Sequence, residues 1–413
     1  MNTLPLPRQF GKVDAVLELG NRASIPMADE WNVGRVSEIL TKVRAALSPS
    51  RNEQIVVSSA DELGLKWMPI HSATTRNLTP MIFTNGRPEC FGGQDRFTAF
   101  SPEFKVLSVR NGYIAHCFGA ALVMASDDNS IVRDVSSRYS RLCQYYDFDA
   151  STMLKDAPFI DGTVIPIADD IRPLNFCHWL VDWLPRLGFL GAGAYKPSVY
   201  VVTTPLIARF QIDSLKMCGF DESRVIALED FRAVRARELL VPSDLRDIPH
   251  PIHKGAPWAL SWLRATVGMA SIMQINENVR RHEKLYVSRA DAPRRKVVND
   301  ADLAAALAKF GYRSIELSGM SLAEQATRFA YASHIVSLHG AGLSNLAFAA
   351  PGTKVIEIFP ERYGTPAFAV IAASLECPYA TYIADKTVAA TTTNYDDVVV
   401  DVTRFLELCG HLI

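Results

Sequence analysis

Apolar residues fall into two alternating patterns along the second half of the chain. Short continuous runs, suited to buried strands, take turns with stretches whose apolar residues recur every three or four positions, suited to helices. The last third is the most regular. Strands are predicted at Lys284–Ser288, Tyr312–Leu317, His334–Leu338, Thr353–Phe359 and Tyr379–Ile383, and helices at Asp300–Phe310, after Ser321, and at Pro366–Leu375. The boundaries carry their own chemistry. Gly311 suits the residue just past a helix end, Ser321 with Glu324 spells a capping box, and Pro351-Gly352 stops the short helix expected after His339. Apolar strands interleaved with helices predict a parallel sheet covered on both faces.

Upstream the same rhythm is looser. A helix is predicted over Phe176–Leu190, strands at Ser198–Thr203, Val225–Leu228 and Glu238–Val241, and a helix at Leu206–Cys218. Pro242–Pro257 reads as a linker, followed by a helix from Trp258 to about Ile275. Residues 51–150 change character: Ile55–Val57, Met81–Phe83, Lys105–Val109, Tyr113–Ala115 and Ala121–Met124 are short strand-like runs, and Asn111-Gly112 is a hairpin signal. The apolar stretch Tyr113–Ala125 contains His116 and Gly119 and is too short for a membrane span, so it reads as two strands of a hairpin. Residues 1–50 look peripheral, with one helix at Val36–Leu47.

Length and composition narrow the class. At 413 residues the chain is long for one core, so two domains are expected. It is 48% hydrophobic and 21% charged, as in a soluble globular protein, and a net charge of −1 gives no electrostatic case for nucleic acid. Seven scattered cysteines without a C-x-x-C argue against a disulfide framework or structural zinc and suggest a cytoplasmic home; Met1–Val16 lacks the apolar core of a signal peptide.

Three clusters could carry chemistry. The first is His339-Gly340-Ala341-Gly342-Leu343-Ser344-Asn345, a strand end running into a glycine turn and a helix. Glycines permit close approach of an anion, and the first helical turn offers unpaired N–H groups. A third glycine or alanine is missing where Asn345 stands, which argues against a nicotinamide fingerprint; Glu357 stands where a ribose-binding acid would lie. A tight turn with no ligand is the plain alternative. The second is Ser288-Arg289 followed by Arg294, Arg295 and Lys296, a basic loop after the first strand of the same unit, suited to phosphate oxygens or simply to solvent. The third is the helix carrying His178, Trp179, Asp182, Trp183 and Arg186. His178 and Asp182 share a face as a candidate acid–base pair, with the tryptophans as a sugar platform; alternatively Asp182 pairs with Arg186 and the tryptophans are core. Asp147/Asp149 and Asp300/Asp302 have a D-x-D spacing that also arises by chance.

Taken in order, Asn175 to Leu187, Tyr286-Val287-Ser288-Arg289, Arg295, Asn299, Leu322-Ala323-Glu324-Gln325, His339 to Asn345, and Pro351-Gly352 with Val355-Ile356-Glu357 resemble glycosyltransferase family 61, over roughly residues 105–385. The resemblance implies an α/β fold of GT-B type: two Rossmann-like domains facing a cleft, here after a β-rich N-terminal lead-in region. The implied map is a lead-in at 1–150, an acceptor-side domain at 151–257, a nucleotide-sugar domain at 258–385, and a C-terminal helical tail at 386–413 packing back on the N-terminal domain. It implies a capsular or exopolysaccharide-type enzyme. The reaction would be an inverting, metal-independent transfer from a UDP-sugar co-substrate, with no cofactor, to a glycan or glycolipid acceptor, with peripheral contact to a membrane or assembly complex. Ser288, Arg289, Arg294, Arg295, His339, Gly340, Ala341, Gly342, Leu343 and Asn345 would face the donor, Glu324 or Glu357 its hydroxyls, and Trp179 and Arg186 the acceptor. Asp182 oriented by His178 would be the base. A sugar-nucleotide epimerase of the same fold and a catalytically silent nucleotide-sugar-binding module are the alternatives.

Overall fold

The computed structural model describes residues 57–77, 81–88, 91, 98–117, 120–125, 130–136, 154–167, 175–191, 197–203, 205–206, 208–229, 232–245, 255–268, 282–361, 364–388 and 397–412. The helix expected at 36–47, the residues Ile55 and Val56, and the Asp147/Asp149 pair lie outside them. The architecture is mixed α/β, built on two large sheets. No helix among the described residues is long and apolar enough to cross a membrane.

The C-terminal sheet follows the predicted pattern closely. Glu283–Val287, Tyr312–Ile315, Ala332–Leu338, Lys354–Phe359 and Tyr379–Ile383 all pair in parallel, in the spatial order second, first, third, fourth, fifth. Helices Asp300–Ala308, Leu322–Tyr331 and Ala367–Ser374 cover it. The capping box forms, with Ser321 Oγ accepting from Glu324 N–H and the Glu324 carboxylate accepting from Ser321 N–H. Strand alternation splits the sheet between two cores. Val287, Ile335, Val355 and Phe359 point to one, and Tyr286, Val336, Ile356 and Ile358 to the other. The order reverses between the first and third strands, and at such a switch point ligands bind beyond the carboxyl ends of the strands. The segments leaving those ends begin at Ser288 and His339.

Two features of this sheet differ from expectation. The short strand Ile82–Phe83, from the supposed lead-in, adds in parallel to Tyr379–Ile383 at the edge. The last helix, Val402–Cys409, buries Phe405 and Cys409 against Tyr382 and the second core, not against the N-terminal half. It shares that face of the C-terminal sheet with Leu303 and Leu307 of the Asp300–Ala308 helix, so its apolar stripe docks locally.

The N-terminal sheet has a parallel heart of Phe159–Pro166, Val199–Thr203, Val225–Ala227 and Arg232–Pro242, in the order third, second, first, fourth. It therefore has a switch point of its own, beyond the end of Phe159–Pro166. That central strand is not among the predicted ones, and it contains the pair Asp161-Gly162. Here the pair sits in a register shift against Arg232–Pro242, and a side chain at residue 162 would run into the Ser198 carbonyl. The Asn111-Gly112 hairpin is also overturned. Phe104–Arg110 and Tyr113–Cys117 both lie antiparallel to Arg232–Pro242 in one unbroken register. Asn111 N–H donates to Arg237 O (2.9 Å) and Ala236 N–H to Gly112 O (3.0 Å), so the dipeptide is a kink within one long strand. Asn111 takes the left-handed conformation the kink needs, at φ 52°. The hairpin that does form joins Tyr113–Cys117 to Ala120–Met124. Through these pairings the described strands between residues 104 and 124 join the same sheet as Phe159–Pro166 and Arg232–Pro242.

The two sheets share their largest core. Val201 of the N-terminal sheet, Trp183 and Leu263 of the intervening helices, and Leu343, Ile335 and Phe359 of the C-terminal unit belong to one apolar cluster. Within it the helix bearing His178 packs on the helix that follows Gly340.

Candidate functional site

The predicted helix over 176–190 forms, but irregularly. Asn175 starts it: its Oδ1 accepts from Cys177 N–H (3.0 Å) and His178 N–H (3.2 Å), satisfying the first orphan donors. His178–Trp183 is a π-helix and Leu184–Leu190 a 3-10 helix. Pro185 explains the change. It has no N–H to offer, and its ring crowds the carbonyl one turn back, so the ladder slips and Leu184 N–H reaches Trp179 O. On this widened turn His178 Nδ1 lies 2.6 Å from Asp182 Oδ2. An ionised carboxylate only accepts, so Nδ1 carries the hydrogen and Nε2 lies on the opposite side of the ring. The two partners differ in access: the Asp182 side chain is 1% exposed and the His178 side chain 20%.

Neither acceptor-side expectation survives. Trp179 is fully buried, its indole N–H donating to Ser214 Oγ (2.8 Å) on the next helix, and Trp183 packs edge-on beside it. The tryptophans are core because the helix faces the shared cluster with that side. Arg186 is buried too and pairs with Asp244 Oδ1 at 3.1 Å, not with Asp182.

Arg289 leaves the end of the first C-terminal strand and turns back over the sheet edge. Its Nε donates to Arg295 O (2.9 Å) and its Nη2 to Arg294 O (3.0 Å). The guanidinium packs against Gly340, where an added Cβ would sit 2.6 Å from Cζ. Gly340 has an extended backbone (φ 178°), so its glycine is required by this close approach and not by conformation. Gly342 likewise makes room for Leu317, whose Cδ1 would be 2.7 Å from a Cβ there. The glycines thus admit an arginine and a leucine, where the sequence suggested direct approach of an anion. Burial and the neighbouring Arg295 charge lower the Arg289 pKa to about 10, against the opposing pull of Asp291 and Asp397; it remains a cation at neutral pH. Ala341–Phe348 is a 3-10 helix, and the N–H groups of Ala341 and Gly342 at its start make no hydrogen bond to another described residue. A cation and a helix N-terminus therefore meet at the switch point.

Beside them His339 Nδ1 bonds Glu357 Oε1, and Tyr379 O–H donates to Glu357 Oε2. Glu357 is fully buried, with both oxygens engaged inside the protein, so it presents neither to a ribose and serves to fix His339. His339 is held between Phe359 and Phe368. Glu324 is occupied by its cap, which together with Ser321 lowers its pKa. Asn345 is buried and donates to Gln325 Oε1 (2.9 Å) and Gly342 O (3.0 Å), bracing the turn from behind. Leu343 belongs to the core. Ser288 donates to Asp300 Oδ2 (2.8 Å), and Tyr286 O–H takes Oδ1 (2.5 Å), so Asp300 is spent on the loop's base. Among the described residues no cluster of three metal-ligating side chains occurs.

The structure thus gathers Arg289, His339, Gly340, Ala341 and Gly342 at one sheet edge, with Arg294 and Arg295 contributing backbone carbonyls. It sets His178 and Asp182 on the helix packed against that turn. Sequence reasoning missed Tyr379, Asp244 and Ser214, which act only through contacts distant in sequence.

Comparison with curated proteins gives no match. The family model described as Glycosyltransferase 61 matches residues 176–356, a stretch that begins one residue after Asn175 and holds His178, Asp182, Arg289 and the glycine turn. Residues 176–356 of the chain therefore form a glycosyltransferase 61 domain, and the protein is read as a glycosyltransferase on that domain.

Proposed function

We propose that the protein transfers a sugar from a nucleoside diphosphate donor, UDP in the first instance, to a hydroxyl of a glycan or glycolipid precursor, with inversion and without a metal. The observation that carries this is the Arg289 guanidinium packed on Gly340 beside the start of the Ala341–Phe348 helix. As the bond between the sugar C1 and the β-phosphate oxygen breaks, its electron pair moves onto the diphosphate. A fixed cation and unpaired N–H groups stabilise that charge as a divalent ion would. Two parallel units, each with a switch point, support a GT-B-like arrangement with the donor on the C-terminal one.

On the acceptor side the greater exposure of His178 supports exchanging the two roles expected from sequence. His178 Nε2 takes the proton of the acceptor hydroxyl while that oxygen bonds to C1. Asp182, closed off from solvent, holds the ring in the right tautomer and stabilises the imidazolium that forms. In this reading the enzyme acts in assembly of a polysaccharide of capsular type, at the inner face of a membrane.

A thermal-shift panel of nucleotides and nucleotide sugars tests the donor site, because a ligand of the native state raises its apparent stability. UDP and UDP-sugars should shift the unfolding midpoint most, and turnover should persist in EDTA. No response to any nucleoside diphosphate would remove the donor site; loss of activity in EDTA with rescue by manganese would remove metal independence.

A further inference from the structure

We propose that Asp397 is a positioning residue of the donor site, holding the loop after Arg289 so that the guanidinium stays against Gly340. The inference rests on the donor site proposed above and concerns a residue outside the stretch that the family match covers.

Strand Asp397–Val399 runs alongside the far end of the basic loop. Asp397 Oδ1 accepts from Lys296 N–H (2.7 Å), Val398 N–H donates to Lys296 O (2.8 Å), and Val298 N–H donates to Val398 O (2.7 Å). One residue further, Asn299 brackets Val400, with Nδ2 donating to its carbonyl (2.7 Å) and Oδ1 accepting from its N–H (3.1 Å). The residue immediately before this clamp is Arg295, a non-glycine residue at φ 54°. Backbone in that region persists when the surroundings over-determine it. Here it turns the Arg295 carbonyl onto Arg289 Nε, next to the Arg294 carbonyl on Nη2. The chain of support runs from Asp397 through Lys296 and the left-handed Arg295 to the guanidinium.

Charge adds a second arm. The charged groups acting on Arg289 are Arg295, which disfavours its proton, and Asp291 and Asp397, which favour it. Asp291 is also engaged in accepting from Ser318 N–H (3.0 Å). Asp397→Asn keeps an oxygen for Lys296 N–H and removes the charge, whereas Asp397→Ala removes both, so the two variants separate the arms.

The test is calorimetric titration of UDP, with GDP and CMP in parallel, into wild type, Asp397→Ala, Asp397→Asn and Arg289→Ala, at neutral pH and near pH ~9. Asp397→Ala should weaken diphosphate binding about tenfold at both pH values, through loss of one part-buried hydrogen bond to the Lys296 backbone, and lower kcat at saturating donor by a smaller factor, because the guanidinium also meets the charge that builds on the leaving diphosphate. Asp397→Asn should bind as wild type at neutral pH and fall behind about threefold near pH ~9, where Arg289 holds its proton less firmly. Wild-type affinity in Asp397→Ala overturns the proposal. If that variant fails to fold, an Asp397→Asn profile that tracks wild type at both pH values overturns it instead. Wild-type affinity in Arg289→Ala, or no binding of any of the three nucleotides by wild type, counts against the donor site itself and not against the role of Asp397.

Discussion

Each half of the molecule contains one imidazole–carboxylate pair, and the pairs are built for different work. His178 and Asp182 sit on a slipped helical turn, the carboxylate sealed and the ring one-fifth exposed. His339 and Glu357 sit on neighbouring parallel strands; the ring side chain is 4% exposed, between two phenylalanines, and the carboxylate is closed off and braced by Tyr379. A ring that trades a proton with a substrate needs a face toward it. A ring sealed on all sides fixes the shape of what surrounds it. Under the proposed mechanism the contrast puts proton transfer on the first pair and rigidity of the glycine turn on the second.

The largest effect should come from the exposed ring. His178→Ala is expected to lower kcat by roughly 10²–10⁴-fold with donor affinity nearly unchanged, as befits loss of a general base. Equal loss from His339→Ala in kcat alone would dissolve the distinction between the pairs. Next, Arg289→Ala should weaken UDP binding about ten- to a hundredfold, the range for a charged hydrogen-bonding group, as read by calorimetry. The sign of its pH dependence is fixed: the cation binds diphosphate, its pKa is lowered to about 10, and wild-type affinity therefore falls as pH rises toward that value, a decline Arg289→Ala should lack.

The sealed pair should register in stability. Glu357→Gln sets an amide N–H₂ against the His339 N–H and should cost about 2 kcal/mol, seen as a lower denaturant midpoint with kcat little changed. Tyr379→Phe, which leaves one carboxylate oxygen without its donor, is the smallest of the set at about 1 kcal/mol. A large kcat loss in either variant, with unfolding unaffected, would move the buried pair into the chemistry.

Much of this was legible in the sequence, and the exceptions share a cause. The C-terminal strands and caps were readable because each is announced locally, by a continuous apolar run, by Gly311 or by the Ser321–Glu324 box. Asn111-Gly112 misled because a turn-forming dipeptide can equally serve as a kink within a strand, and only the partner strand decides. In the site, spacing put Asp182 within reach of both His178 and Arg186; the choice of His178, and which member is closed to water, depended on a π-turn that no periodicity announces. Glu357 looked like a free acid at a strand end. Its occupation by His339 and Tyr379 arises from strand pairing between residues about twenty positions apart.

The core common to both sheets has a consequence for how the chain is made and how it breaks. Trp183, Leu263 and Phe348 shield each other across what would be the seam between two halves, so neither half expressed alone has a finished interior. The molecule should melt in one cooperative step, fragments cut near residue 250 should aggregate separately, and any wide hinge opening would wet this seam. In such a body, motion during turnover is expected to fall to the loops at the sheet edges.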